Sequence, residues 1–333
     1  MAKDTLIEVA GTELVEHPAF RAWQAVAPGC DQPARITILK QTRDKTVYRL
    51  DGVGPGGGSV IAKRCRPDAA ATERIIYSDV LPRLPITAIR LYGFLEDRDR
   101  ADGQQCWLFL EDAGDEPYSY LLNEHRVLAG QWLGRLHSAA SHFGVPVVLP
   151  DRGPDYYLRL LRSSREAMGR NLANPALHGE GARTLADIVT QYGVLEAHWS
   201  DVVRICREMP QTLVHGDLAP KNARVRVSSS GSSLVVIDWG GVGWGVPAID
   251  LAQFTAQSLS PNLAAYSAVV PSCWTELRRL SRMAELGKIF RLIVAMSWES
   301  LSLSGQWLVR PARNLRLYRT AMADCIREAG WED

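Results

Sequence analysis

No two cysteines in this chain stand in C-x-x-C spacing. The six present (Cys30, Cys65, Cys106, Cys206, Cys273 and Cys325) are scattered, which argues against a zinc site or a disulfide framework and for reduced thiols in a cytoplasm. A surplus of one charge is lacking too. Lys and Arg number 38 and Asp and Glu 37, for a net charge of +1, so no basic excess points to a nucleic-acid partner. Long apolar runs are missing: FRLIVAMSW, from Phe290, is short and bounded by charge, far from the ~20 residues of a membrane span. The opening stretch MAKDTLIEVAGTEL carries acids early and lacks the apolar core of a signal peptide. These absences set the expectation of a cytoplasmic protein whose partners are neither membranes nor nucleic acids.

What is there reads as a globular chain, 46% hydrophobic and 23% charged over 333 residues, with ample core for one large two-lobed domain or two ordinary ones. Its most informative stretch runs from Thr212 to Trp239. An apolar run, Thr212 to Val214, delivers His215-Gly216-Asp217 into a turn, and Asn222 follows five residues after Asp217. The ARVRV alternation, a Ser/Gly turn and the apolar LVVI then predict a hairpin that returns Asp238 to the same end. Two carboxylates and an amide so presented suit a divalent cation beside a proton acceptor, because hard cations prefer oxygen ligands. H-G-D-x-x-x-x-N followed by I-D-W at hairpin distance is a specific pattern for phosphoryl transfer.

HGDLAPKN followed by VIDWGGVGWGVPAIDLA resembles the aminoglycoside phosphotransferase and choline kinase superfamily, small-molecule kinases with the protein-kinase-like fold. The resemblance implies Asp217 as catalytic base and Asn222 and Asp238 as Mg²⁺ ligands, with ATP or GTP as co-substrate. The roles agree with kinase chemistry, in which an Asp orients the acceptor hydroxyl while Asn and a second Asp hold Mg²⁺ on the phosphates. His215 reads as a structural residue of the loop. Asp250 follows Pro247-Ala248 in the first turn of a predicted helix, where an acid usually caps. The family reading makes it a brace for the catalytic loop. A kinase-loop lysine would fall two residues after Asp217, at Ala219; Lys221 stands next to Asn222 instead and stays outside the catalytic set.

Ahead of this region, Leu14, Phe20, Trp23 and Val26 have helical spacing, stopped by Pro28-Gly29. ARITILK, TVYRL and SVIAKRC then read as strands. The glycine run from Gly52 to Gly58 leads into a strand rather than a helix, so it is a hairpin and not a phosphate cradle. A kinase-like glycine loop would occupy QTRDK, Gln41 to Lys45, which has no glycine; Thr42 and Thr46 are its candidate phosphate contacts. Lys63 in VIAKR looks like the kinase strand lysine, with Glu73 as its partner on a helical stretch from Ala69 to Leu81. IRLYGFL and QQCWLFLEDAG read as two further strands. Leu110 to Gly114 resembles the family's hinge, with Glu111 and Ala113 as nucleotide contacts, although an acidic turn explains Glu111 and Asp112 equally well.

Gly114 and Pro117 mark the expected lobe boundary, giving residues 1–114 as nucleotide-binding lobe and 115–333 as catalytic and acceptor-binding lobe. Arg126 to Phe143 reads as a helix, two more fill Pro154 to Pro210, and others follow around Glu276 to Leu303 and Arg310 to Ala329. In LGRLH, His137 reads as helix packing. From Val246 onward eight acids face ten Lys and Arg, so no acidic surplus marks a site for a polycation. Ten tryptophans are present, including Trp239, Trp244, Trp274, Trp298 and Trp307 in the C-terminal part; indole faces stack on sugars and nucleosides. Trp244, in the loop expected after Asp238, is the candidate acceptor contact.

The fold class expected is α+β: a small N-terminal lobe with an antiparallel sheet and a larger, mainly helical C-terminal lobe. The function expected is transfer of the γ-phosphoryl of Mg-ATP or Mg-GTP to a hydroxyl of a small molecule, with antibiotics (aminoglycosides included) among the candidates. A kinase of a primary metabolite of sugar, choline or homoserine type is the alternative. A protein kinase is disfavoured because I-D-W-G stands in place of D-F-G and no A-P-E follows. A catalytically silent nucleotide-binding scaffold is the reading from outside enzymology.

Overall fold

The computed structural model describes residues 7–9, 14–42, 44–97, 105–144, 149–229, 231–254, 257–303 and 309–332. Most of the opening stretch, Arg43 of the glycine-free loop, and Trp307 therefore lie outside the described residues. Two compact units are formed: Met1–Pro117 with Asn222–Gly240, and Tyr118–Lys221 with Gly241–Asp333.

The chain begins with β1 (Ile7–Val9), α1 (Pro18–Val26), β2 (Arg35–Gln41), β3 (Lys45–Asp51), β4 (Val60–Cys65), α2 (Pro67–Ile75), β5 (Leu91–Asp97) and β6 (Gln105–Glu111). It continues with α3 (Asn123–Phe143), β7 (Asp151–Arg152), α4 (Pro154–Arg170), α5 (His178–Ala197), α6 (Trp199–Cys206) and β8 (Thr212–Val214). The strands β9 (Ala223–Ser228) and β10 (Gly231–Val236) return to the first unit, and β11 (Gly243–Gly245), α7 (Ala248–Leu251), α8 (Leu263–Ser267), α9 (Leu277–Leu301) and α10 (Val309–Glu328) complete the second.

In the first unit six strands form an antiparallel sheet in the order β1-β2-β3-β4-β6-β5. The helix α1 starts on Pro18, whose fixed φ suits a first helical position, and His17 Nδ1 accepts the Ala19 N–H. Phe20 and Trp23 pack it onto Ile36, Leu50, Val60, Ala62, Trp107 and Phe109, and the Trp23 indole N–H donates to the Val53 carbonyl at 3.2 Å. Because side chains alternate along a strand, this core on the Ala62 face places Lys63 on the opposite one. There α2 follows β4 directly, with Pro67 at its start and Asp68 in its first turn.

The sequence expectation differs here in three places. The N-terminal helix is shorter than the run from Leu14 suggests, and a strand, β1, precedes it. The stretch Ala69–Leu81 is α-helical only to Ile75, after which Ile76–Val80 forms a π-helical turn. Three helices rather than two fill Pro154–Pro210, because α5 and α6 break at His198. No single-residue signal such as Gly or Pro marks that break.

In the second unit α9 is the central helix, packed against α4, α6, α7, α8 and α10. Its buried positions include Leu280, Met283, Leu286, Ile289, Phe290, Ile293 and Met296. Tyr157 of α4 stacks on Phe290 at 3.8 Å between centroids. A three-stranded sheet, β7-β11-β8, carries the approach to His215. Among the described residues no helix is long and apolar enough to cross a membrane.

Candidate active site

In the first unit, charge gathers on the sheet face opposite the aromatic core. Glu73 of α2, 2% exposed, forms an ion pair with Lys63, itself 6% exposed. The Lys63 ammonium also donates to Asp238 Oδ1 at 2.8 Å. A second cation reaches the same carboxylate: Lys45 Nζ lies 3.1 Å from Oδ1 and 2.9 Å from Oδ2. Burial opposes the charge on Lys63, but Glu73 and Asp238 hold its pKa above the ordinary ammonium range. Burial likewise opposes the charge on Asp238, yet Lys63 and Lys45 hold it well below the usual carboxylate range. Glu73 goes the other way, since its deep burial outweighs Lys63 and raises it. Of the two carboxylates on Lys63, Asp238 is therefore the firmly anionic one.

Hairpin register explains how Asp238 gets there. Ala223 pairs with Val236, and the Ile237 N–H donates to the Asn222 carbonyl at 2.9 Å, so the buried Asn222 and Asp238 occupy the open end of the same hairpin. Asp238 has φ 66°, a left-handed conformation that costs a non-glycine residue free energy and collects at functional sites.

A divalent cation fits these residues. Carboxylate and amide oxygens are hard donors, and two from the protein leave the remaining shell to phosphate and water, as Mg²⁺ prefers. Among the described residues no cluster of three or more His, Cys, Asp and Glu exists to hold a metal by protein ligands alone. Asp238 already collects positive charge from two ammonium groups.

The hinge candidates are tied down by an arginine that the sequence reading did not single out. Arg226 on β9 pairs with Glu111 at 2.9 Å and donates to the carbonyls of Asp112 (2.5 Å) and Ala113 (3.2 Å). The second Glu111 oxygen accepts the Arg90 N–H at 3.0 Å. Thr42 is also engaged: its hydroxyl donates to the Lys45 carbonyl and accepts the Lys45 N–H. Both side chains serve the local chain path.

The second unit holds Asp217. Leaving β8, the chain turns at Gly216, where φ is 79° and an added Cβ would lie 2.3 Å from the Gly241 carbonyl oxygen; only glycine fits both demands. The loop is held by Asp250 of α7, which accepts the His215 N–H at 2.7 Å and the Gly216 N–H at 3.0 Å. His137 Nε2 lies 3.4 Å from Asp250, and its Nδ1 3.2 Å from the Tyr266 hydroxyl. His215 is fully buried, and its Nδ1 accepts the Asp217 N–H at 3.3 Å. Two cations flank the Asp217 side chain: Lys221 at 3.3 Å and Arg291 at 3.5 Å. Arg291, on α9, is 9% exposed, and its Nε and Nη1 have no hydrogen-bond partner among the described residues. Burial pulls it below the usual guanidinium range, with Asp217 and Asp250 opposing.

Trp244 lies not in a loop but at the centre of β11, half-buried, opposite Leu213 and Asp151. Strand pairing at both edges overrides the irregular path that the glycines around it suggest. Trp239 and Trp274 are buried and Trp298 is exposed.

Residues 35–277 match the model of a phosphotransferase enzyme family, APH. The chain belongs to this family. Among curated proteins none matches the phosphotransferase in sequence. Solved structures show its fold to be protein-kinase-like. An aminoglycoside phosphotransferase in complex with GDP and kanamycin is 12% identical over 91% of this chain and 98% of that one, with a TM-score of 0.62. Choline kinase from Cryptosporidium parvum is 13% identical, covering 89% and 90%, at 0.59, and an ethanolamine kinase from Plasmodium vivax is 15% identical, covering 84% and 78%, at 0.54.

Proposed function

We propose that this phosphotransferase moves the γ-phosphoryl group of a Mg²⁺-bound nucleoside triphosphate, ATP or GTP, to a hydroxyl of a small molecule in the cytoplasm. The observation that carries this reading is the buried Lys63, held by Glu73 and aimed at Asp238, the charge arrangement that kinase chemistry uses to steady phosphates. In this reading Asp217 orients the acceptor hydroxyl and takes its proton. The acceptor oxygen attacks the γ-phosphorus, the bond from phosphorus to the β–γ bridging oxygen breaks, and the nucleoside diphosphate leaves with the bonding pair. Asn222 and Asp238 would hold Mg²⁺, which would supply charge neutralisation on the phosphate oxygens. Asp250 and His215 shape the loop that carries Asp217, and Arg226 fixes the segment from Glu111 to Ala113 against which the base of the nucleotide would lie. Preorganised charge and position do most of the work in such a transfer.

The cations beside Asp217 bear on the acceptor. A polycationic aminoglycoside would bring like charge towards Lys221 and the buried Arg291, which costs free energy at short range. A neutral or anionic alcohol, such as a sugar, a nucleoside or an uncharged natural product, meets no such cost. The test is mass spectrometry of a mixed acceptor panel incubated with protein, Mg²⁺ and ATP or GTP, with Asp217→Asn run beside it. A neutral or anionic acceptor gaining one phosphoryl group only with intact Asp217 supports the reading. Phosphorylation of aminoglycosides alone overturns the acceptor class. Nucleotide binding without any product favours the silent scaffold.

A further inference from the structure

The loop between β2 and β3 has no glycine, so it cannot present a run of close-approaching backbone N–H groups to phosphates. It ends instead on a cation. Lys45 is the first residue of β3 and pairs with Cys65, while Val47 pairs with Lys63. Residues two apart share a sheet face, so Lys45 and Lys63 project on the same side, the side of Asp238. The turn before Lys45 is closed three times by Thr42: its N–H and hydroxyl donate to the Lys45 carbonyl, and its oxygen accepts the Lys45 N–H. The backbone of Lys45 is thereby held independently of the ion pair that its side chain makes with Asp238.

The two lysines on Asp238 are held differently. Lys63 is buried and has Glu73 as a second carboxylate. Lys45 is a quarter exposed, and Asp238 is its only carboxylate partner among the described residues. The four side chains together, two ammonium groups and two carboxylates, form a neutral set. A divalent cation on Asp238 would meet the Lys45 ammonium at the same two oxygens, and like charges at that spacing repel strongly. Lys45 can leave by rotating its four-carbon stem, whereas Lys63 is locked by Glu73. The acceptors available to a displaced ammonium are then phosphate oxygens, for which lysine serves as a point charge.

We propose that Lys45 is a two-position residue: the counter-ion of Asp238 when no nucleotide is bound, and a ligand of the nucleotide's phosphates when Asp238 holds the divalent cation. This rests on the nucleotide reading of the site. Lys45 supplies by side chain what a glycine loop supplies by backbone.

The two positions carry opposite signs in one variant, and that is the test. Lys45→Met removes a competitor for Asp238 and a phosphate ligand together. Mn²⁺ binding to the nucleotide-free chain, read by electron paramagnetic resonance, should tighten by about tenfold in Lys45→Met. Calorimetric affinity for Mg-ATP and Mg-GTP should weaken by about tenfold to a hundredfold, the range of a hydrogen bond to a charged group. Lys45→Arg should keep most of the nucleotide affinity. Lys40→Met, which removes an exposed lysine from β2, makes the same change in net charge and should move neither quantity. If Mn²⁺ and nucleotide affinities fall together in Lys45→Met, the lysine is a brace and the proposal fails. An unchanged nucleotide affinity in Lys45→Met also overturns it. If the unmodified chain binds neither nucleotide, the nucleotide reading itself falls, and Lys45 loses its second position with it.

Discussion

Asp238 in the first unit and Asp217 in the second each lie beside two cationic side chains, at different range. Lys63 and Lys45 approach Asp238 to between 2.8 and 3.1 Å. Lys221 and Arg291 stand 3.3 and 3.5 Å from Asp217. The backbone repeats the contrast: Asp238 sits in a left-handed conformation, while Asp217 follows a glycine that takes the left-handed turn for it. A carboxylate pulled this far down is a ligand for cations and a poor proton acceptor. One touched at longer range keeps room to receive a hydroxyl. In the proposed function, the same residue type is thus prepared for two tasks by the distance of its charged neighbours.

The sharpest way to break this contrast is to neutralise each aspartate in turn. Asp217→Asn should lower turnover by about 10²- to 10⁴-fold, the range for losing a positioned base, with Mg-nucleotide affinity within about twofold of the parent. Asp238→Asn should abolish turnover and weaken Mg-nucleotide binding as well. Matching binding losses, measured by calorimetry, would show that the two carboxylates are not specialised.

Arg291→Met sharpens the Asp217 side. The guanidinium is buried with two nitrogens unsatisfied, while its partner Asp217 is 21% exposed and also paired with Lys221, so Arg291→Met removes a desolvated cation without leaving a buried carboxylate unpaired. Turnover should fall by about ten- to a hundredfold while the chain is no less stable to denaturant. Arg291→Lys should recover part of the rate. A stability loss above ~3 kcal/mol would mark Arg291 as a structural residue instead. On the Asp238 side, Glu73→Gln frees Lys63 from its lock. Nucleotide affinity should drop by about tenfold, as expected for one charge-assisted contact, and an unchanged affinity would show that the pair does not steady the phosphates.

Motif and period carried the reading of these two regions a long way, and partner geometry set its limit. The hairpin from Asn222 to Asp238 is legible because strand alternation and a Ser/Gly turn are local signals. Lys63 is legible because VIAKR resembles the kinase strand motif and Glu73 follows ten residues later. Lys45, Arg226 and Arg291 were not, since their partners are 193, 115 and 74 residues away, counting 226 − 111 and 291 − 217. Arg291 did leave a trace: a charge inside the apolar run FRLIVAM must be buried with the helix face that carries it. Trp244 was placed in a loop because its strand is short and owes its existence to β7 and β8 rather than to its own residues.

The anchorage of the Asp217 loop yields the smallest effect and a pH signature. Burial opposes the charge on Asp250, but His137 and the groups of His215 lower its pKa below the ordinary aspartate value. A carboxyl that is more acidic folded than unfolded stabilises the fold above the unfolded pKa of ~3.9, and that contribution is lost as pH falls through the lower folded value. Asp250→Asn keeps one acceptor oxygen but turns an amide N–H₂ towards donors that Asp250 satisfied with two oxygens. The variant should be less stable by about 2 kcal/mol at pH 7, the scale of hydrogen bonds to a charged group. The deficit should begin to shrink as pH drops below about 4, where the carboxyl of the unfolded parent takes up a proton while the folded one still holds its charge. Urea denaturation of both proteins from pH 7 down to pH 3 measures it. A deficit that stays constant across that range would mean that shape, and not the charge of Asp250, holds the loop.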